Sequence, residues 1–170
     1  MEKTDNRTKN LGWARVLTVW LLLVVLFFAP VLFSDKVLAP LDILDSLLKP
    51  WATAETINVH NAFPYDAISQ YIPYNWSVYQ SLQQDGYTGW NPYSHNGTAI
   101  LENTMLCPGD WHHQLYRFFS FWDAWNIGIV LQFFIAGLGM LLLLRHLGIS
   151  PHFALLGIVG YGFFSQFITW

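Results

Sequence analysis

The sequence predicts an all-α integral membrane protein with three transmembrane helices, at about 13–33, 125–145 and 152–170, and a large, partly helical outer loop between the first two. Composition is the first observation behind this. The chain is 54% hydrophobic and 11% charged, whereas about a quarter of the residues of an ordinary globular domain are charged. Clustering is the second. Residues 16–33, 127–144 and 153–170 each run without an Asp, Glu, Lys or Arg, close to the length at which a helix crosses the hydrocarbon core. Segregation of charge is the third. Lys3, Arg7, Lys9 and Arg15 precede the first run and Arg145 follows the second, while 34–123 holds nine acids against Lys36, Lys49 and Arg117. Basic flanks stay on the cytoplasmic side, so the predicted protein is multi-pass in the cell membrane.

In chain order this gives a cytoplasmic tail at 1–15, a first span at 16–33 and an extracytoplasmic loop at 34–123. A second span at 124–145, a cytoplasmic turn at 146–152 and a third span at 153–170 follow. The basic tail is explained by orientation, and nothing points to nucleic acid. The first run is longer than the apolar core of a cleaved signal, and its one small-residue site, Val37-Leu38-Ala39, is followed by Pro40, which favours a retained helix. Pro30 is expected to kink or end that helix near its outer end. Cys107 is the single cysteine, so no intramolecular disulfide staples the loop.

Within the loop, Leu41, Ile43, Leu44, Leu47, Leu48 and Trp51 recur at helical spacing. They predict a short amphipathic helix on the outer membrane surface, closed by Pro50. Asp66 opens a second periodic stretch through Ile68, Tyr71, Ile72, Tyr79 and Leu82, with Pro73 imposing a kink or a late start. The turn-rich segment 86–98 reads as a loop. Aromatic residues crowd 111–125, where the chain returns to the bilayer, in the manner of an interfacial belt. Gly128, Gly137 and Gly139 in the second span and Gly157, Gly160 and Gly162 in the third let helices approach closely. The chain is therefore expected to be a fragment whose partners include further transmembrane helices of the same protein.

Several elements in order resemble a known family: Pro40-Leu41-Asp42 with Pro50-Trp51, Asp66 ahead of Gln70-Tyr71-Ile72-Pro73, Gly89-Trp90-Asn91-Pro92-Tyr93, Asn96-Gly97-Thr98, and Gly137-Leu138-Gly139-Met140 before Leu144-Arg145-His146-Leu147-Gly148. The series, over roughly 38–170, resembles the amino-terminal portion of YfhO-type bacterial membrane proteins, which are similar to the polytopic GT-C glycosyltransferases. The chain departs from that pattern at His95-Asn96-Gly97. The resemblance implies transfer of a sugar from a polyprenyl-phosphate carrier, held with the membrane lipid, to an extracytoplasmic acceptor.

Such a reaction needs a carboxylate to take the proton of a weakly nucleophilic hydroxyl. Asp66 matches the family's loop aspartate and is the first catalytic candidate. It is equally placed to be a helix N-cap. Asp42 is the second candidate, with a solvated position on the amphipathic helix as the alternative. Gln70, Tyr71, Trp90, Asn91, Tyr93 and Glu102 are the substrate-binding candidates, the aromatic ones as platforms for sugar rings or as packing. Carboxylates can also hold Mg²⁺ or Mn²⁺ against a leaving phosphate. No metal site is assigned, because neighbouring residues such as His112 and His113 are expected to face different ways. The alternative from another class is a non-catalytic membrane protein whose outer loop binds a glycan, a lipid or a protein.

Overall fold

The computed structural model describes residues 2–47, 59, 65–84, 89–92, 96–99 and 110–164. These are mostly helical, with one two-stranded ribbon, and they fall into two compact units, one of 1–36 with 126–170 and one of 37–125. Among the described residues one helix, Phe121–His146, is long and apolar enough to cross a membrane.

In the first unit, helix α1 runs over Glu2–Phe27, with its apolar stretch confined to Leu11–Phe27. The expected effect of Pro30 is visible. The first apolar run is two helices rather than one, because the chain turns at Phe28 and α2 occupies Ala29–Leu32 with Pro30 in its first turn. A prolyl nitrogen has no hydrogen to donate and its ring crowds the preceding turn, so it is accommodated where a helix begins.

Helix α5, Phe121–His146, ends in the last turn with Arg145 and His146. Gly148 then takes φ +74°, its N–H donates to the Arg145 carbonyl at 3.1 Å, and Ile149 N–H donates to Leu144 at 3.1 Å. This pair of bonds is a Schellman closure, for which a residue without a Cβ is favoured. Two residues later Pro151 starts helix α6, Pro151–Gly162. Glycine past one helix and proline opening the next make the turn between α5 and α6. The expected third span is described only as far as residue 164, and 165–170 lie outside the described residues.

The core of this unit is built round Trp20, which is fully buried. Its ring stacks on Phe133 at 5.9 Å and meets Phe163 edge-on at 5.9 Å, and its Nε1 donates to the Phe134 carbonyl at 3.3 Å. The glycines of α5 and α6 explain how so large a ring fits. A Cβ on Gly137 would lie 2.2 Å from the Trp20 ring, and one on Gly162 also 2.2 Å from it. Small residues do permit close approach, as expected, but the space at these two is filled by an indole and at Gly157 by Leu144. Gly139 and Gly160 have nothing within 4 Å of such a Cβ.

In the second unit, α3 spans Asp42–Leu47 and buries Ile43; the predicted closure at Pro50 lies outside the described residues. A π-helical turn, Ala67–Tyr71, leads into α4, Ile72–Gln84. The cause is Pro73. It cannot donate to Ser69, and Ile72 N–H instead reaches back five residues to the Ala67 carbonyl. A 3₁₀ helix, Trp111–Arg117, follows and packs on α4. Val78, Tyr116, Phe121 and Ala124 form the core, with Ile72, Tyr79 and Leu82 against it. Tyr116 and Phe121 are therefore packed inward rather than held for an interface, whereas Trp111, Phe118 and Phe119 stay exposed.

Segment 86–98, read as a loop, contains an antiparallel ribbon of β1, Trp90–Asn91, and β2, Thr98–Ala99. Trp90 pairs with Ala99 and Asn91 with Thr98. Asn96 and Gly97, just ahead of β2, both have positive φ, 63° and 108°, a backbone that Asn and Gly tolerate best. Helix α5 is opened by Ser120, whose Oγ accepts from Asp123 N–H at 3.3 Å and donates to the Asp123 carboxylate at 2.6 Å. Ser120→Ala removes this reciprocal cap and is expected to cost about 1 kcal/mol, measured as a lowered midpoint of unfolding in detergent.

Candidate functional site

The second unit contains a cleft of about 520 Å³ with mostly apolar walls. Leu41, Ile43 and Leu44 line it from α3 and the residue before it. Tyr65 comes from just before the π turn, Ile68 and Ser69 from the turn itself, Ile72 and Pro73 from the start of α4, and Trp122 from the start of α5. The two catalytic candidates belong to the segments that build these walls. Asp42 stands between lining residues Leu41 and Ile43, and Asp66 between Tyr65 and Ile68. Neighbours of both acids line the cleft, but neither Asp42 nor Asp66 is itself a lining residue.

Asp66 does not act as the predicted cap. It occupies the position before the π turn, but with φ −62° and ψ −28° it is already helical, and its side chain makes no capping bond. An N-cap carboxylate needs an extended backbone to reach the amides of the following turn. Instead Asp66 is exposed, and its Oδ1 accepts a long hydrogen bond from Gln70 Nε2 at 3.4 Å. Gln70 is therefore a neighbour of the acid, one helical turn along the chain. Tyr71 contributes its carbonyl to Asn75 Nδ2 at 2.9 Å.

Trp90 is exposed, with its ring over Gly97, where a Cβ would come within 2.3 Å of it. Asn91 is buried on β1. Tyr93 and Glu102 lie outside the described residues.

A buried polar cluster was not anticipated. Asn75, His113 and Tyr116 are all buried. Asn75 Nδ2 donates to Tyr71, which fixes its Oδ1 as the acceptor. That oxygen takes His113 Nε2–H at 2.9 Å and the Tyr116 hydroxyl at 3.2 Å. His113 must then carry its proton on Nε2 and leave Nδ1 bare, and this buried nitrogen has no hydrogen-bond partner. Burial, helped by the neighbouring His112 and opposed by Asp110, pushes His113 down to about 4. Burial also lowers His112 against the pull of Asp110, and raises Tyr116.

The two histidines do not diverge as expected of adjacent residues. Their rings lie 4.1 Å apart, tilted by 50°, and His112 Nδ1 is 3.7 Å from the Asp110 carboxylate. Among the described residues, however, no three His, Cys, Asp or Glu side chains converge so as to hold a metal ion. The signal for the cluster in the sequence is faint. Asn75 falls on the buried face of α4 with Val78, at a position a search for apolar periodicity passes over.

Comparison of the chain with protein families, with characterised proteins and with solved structures gives no match.

Proposed function

We propose that this chain is the amino-terminal part of a membrane glycosyltransferase that moves a sugar from a polyprenyl-phosphate carrier to an extracytoplasmic acceptor, with Asp66 as the general base. The observation that carries the reading is the apolar cleft walled by the segments that hold Asp42 and Asp66. An apolar wall suits the lipid part of such a donor, and a carboxylate on the same segment suits the acceptor hydroxyl. Gln70 engages Oδ1 of Asp66 and leaves Oδ2 without a hydrogen bond among the described residues; in the proposed step Oδ2 accepts the proton as the hydroxyl oxygen attacks the anomeric carbon. The bond from that carbon to the carrier phosphate breaks in the same step, and the phosphate leaves with its negative charge.

This reading includes the three-span arrangement, with the amino terminus inside and 34–123 outside. It rests on the apolar runs and on the basic residues that flank them. Helix α5 supports it by length.

The test is Asp66→Asn in the full-length protein, with transfer from a lipid-linked sugar followed in membranes. Loss of a general base is expected to slow transfer by about a hundredfold or more while leaving the aromatic circular dichroism unchanged. Undiminished transfer would remove Asp66 from the mechanism. Carrier binding by the intact protein with no transfer at all would instead assign the cleft to a lipid-binding protein without catalytic activity.

A further inference from the structure

A second cleft, of about 480 Å³, lies in the other unit between the middle turns of α1 and the start of α6. Its α1 wall is Gly12, Arg15, Val16 and Val19, whose spacing of three, four and seven places them on one helical face. Its α6 wall is Pro151, His152 and Leu155. Gly12 sets the width, because a Cβ there would stand 3.0 Å from the Pro151 ring.

The lining is divided by chemistry. Arg15 and His152 are exposed and supply the polar groups, a permanent cation and an imidazole. Val16, Val19 and Leu155 supply an apolar wall, and no lining residue is acidic. Arg15 stands just ahead of the charge-free run 16–33, so the cation sits where an apolar segment meets water. A soluble anion would need the cation but not the apolar wall, and a neutral lipid would leave the guanidinium without a partner. A ligand with a phosphate at one end and acyl chains at the other answers both.

We propose that this cleft is a binding site for one anionic phospholipid, with the headgroup phosphate on Arg15 and His152 and the upper acyl chain along Val16, Val19 and Leu155. The site is independent of the sugar-transfer reading, since none of its residues belongs to the unit that holds Asp66.

The test uses the full chain in nanodiscs of equal phosphatidylcholine and phosphatidylglycerol, with retained lipids identified by native mass spectrometry. One retained phosphatidylglycerol is expected. Arg15→Gln should lower its retention about fivefold, Arg15→Lys should keep most of it, and Leu155→Trp, which fills the apolar end, should displace it. Retention of phosphatidylglycerol unchanged in Arg15→Gln would overturn the site. So would its displacement by inorganic phosphate at equal concentration, which would mark a free-anion site. Loss of binding on neutralising Lys3, Arg7 and Lys9, with Arg15→Gln behaving as wild type, would likewise overturn it in favour of diffuse attraction to the tail.

Discussion

Gly137→Ala is expected to destabilise the unit of 1–36 and 126–170 by about 3 kcal/mol, although it adds a single methyl group. The new Cβ would stand 2.2 Å from Cε2 of Trp20, 2.3 Å from Cζ2 and 2.5 Å from Nε1, all well inside van der Waals contact. The indole has little room to yield. It is fully buried, stacked on Phe133, held edge-on by Phe163, and faced on another side by Gly162. Moving it also breaks the hydrogen bond from Nε1 to Phe134. The check is a double-mutant cycle with Trp20→Phe, followed by denaturation in detergent micelles. Phenylalanine lacks the ring atoms that meet the methyl, so Gly137→Ala should cost much less in that background. Equal costs in the two backgrounds would show that Trp20 does not set the limit.

Acid is expected to weaken the packing of the 3₁₀ helix on α4 through His113. The histidine is held down to about 4 when folded, against about 6.5 in an unfolded chain. Above pH 6.5 both states are neutral and the cluster contributes in full. As pH falls from 6.5 to 4 the unfolded chain binds a proton that the folded one does not, so stability declines, by up to about 3 kcal/mol, and levels off below pH 4. Geometry gives the reason. Nε2 already donates to Asn75, and a proton added at Nδ1 would be a buried donor with nothing to accept it. His112, whose ordinary value is also lowered by burial, adds to the same trend. Near-UV circular dichroism of the tyrosine and tryptophan residues against denaturant at several pH values reports this directly. His113→Gln should be less stable at neutral pH yet lose most of the slope between pH 6.5 and 4; an unchanged slope would place the acid sensitivity elsewhere.

What the sequence revealed depended on whether a signal was local. The apolar runs, the break at Pro30 and the Gly148 and Pro151 punctuation are properties of a few neighbouring residues, and each was legible. The ribbon at Trp90–Asn91 and Thr98–Ala99 was not, because four paired residues are too few for an alternating pattern. Trp20 read as one more apolar residue of a span, since its glycine slots lie over a hundred positions away. Of the candidate site, the segments of Asp42 and Asp66 were found from order in the chain, but the cleft that their neighbours line depends on tertiary packing. The capping role given to Asp66 failed because Tyr65 and Asp66 are already helical, which no count of residue types discloses.

The π turn at Ala67–Tyr71 makes the orientation of Asp66 separable from the stability of α4. Its bond from Ile72 back to Ala67 spans one residue more than an α-helical turn, so the segment is in effect a single-residue insertion in an otherwise continuous helix. Each residue of an α-helix turns the chain by about 100°. Deleting one residue from this stretch together with Pro73→Ala would let the helix close in regular register, leave the Val78 face of α4 where it packs, and swing the carboxylate about a quarter of the way round the axis. A change of length here, made with the proline that the wide turn accommodates removed, is the lesion that would re-aim the acid while sparing the core.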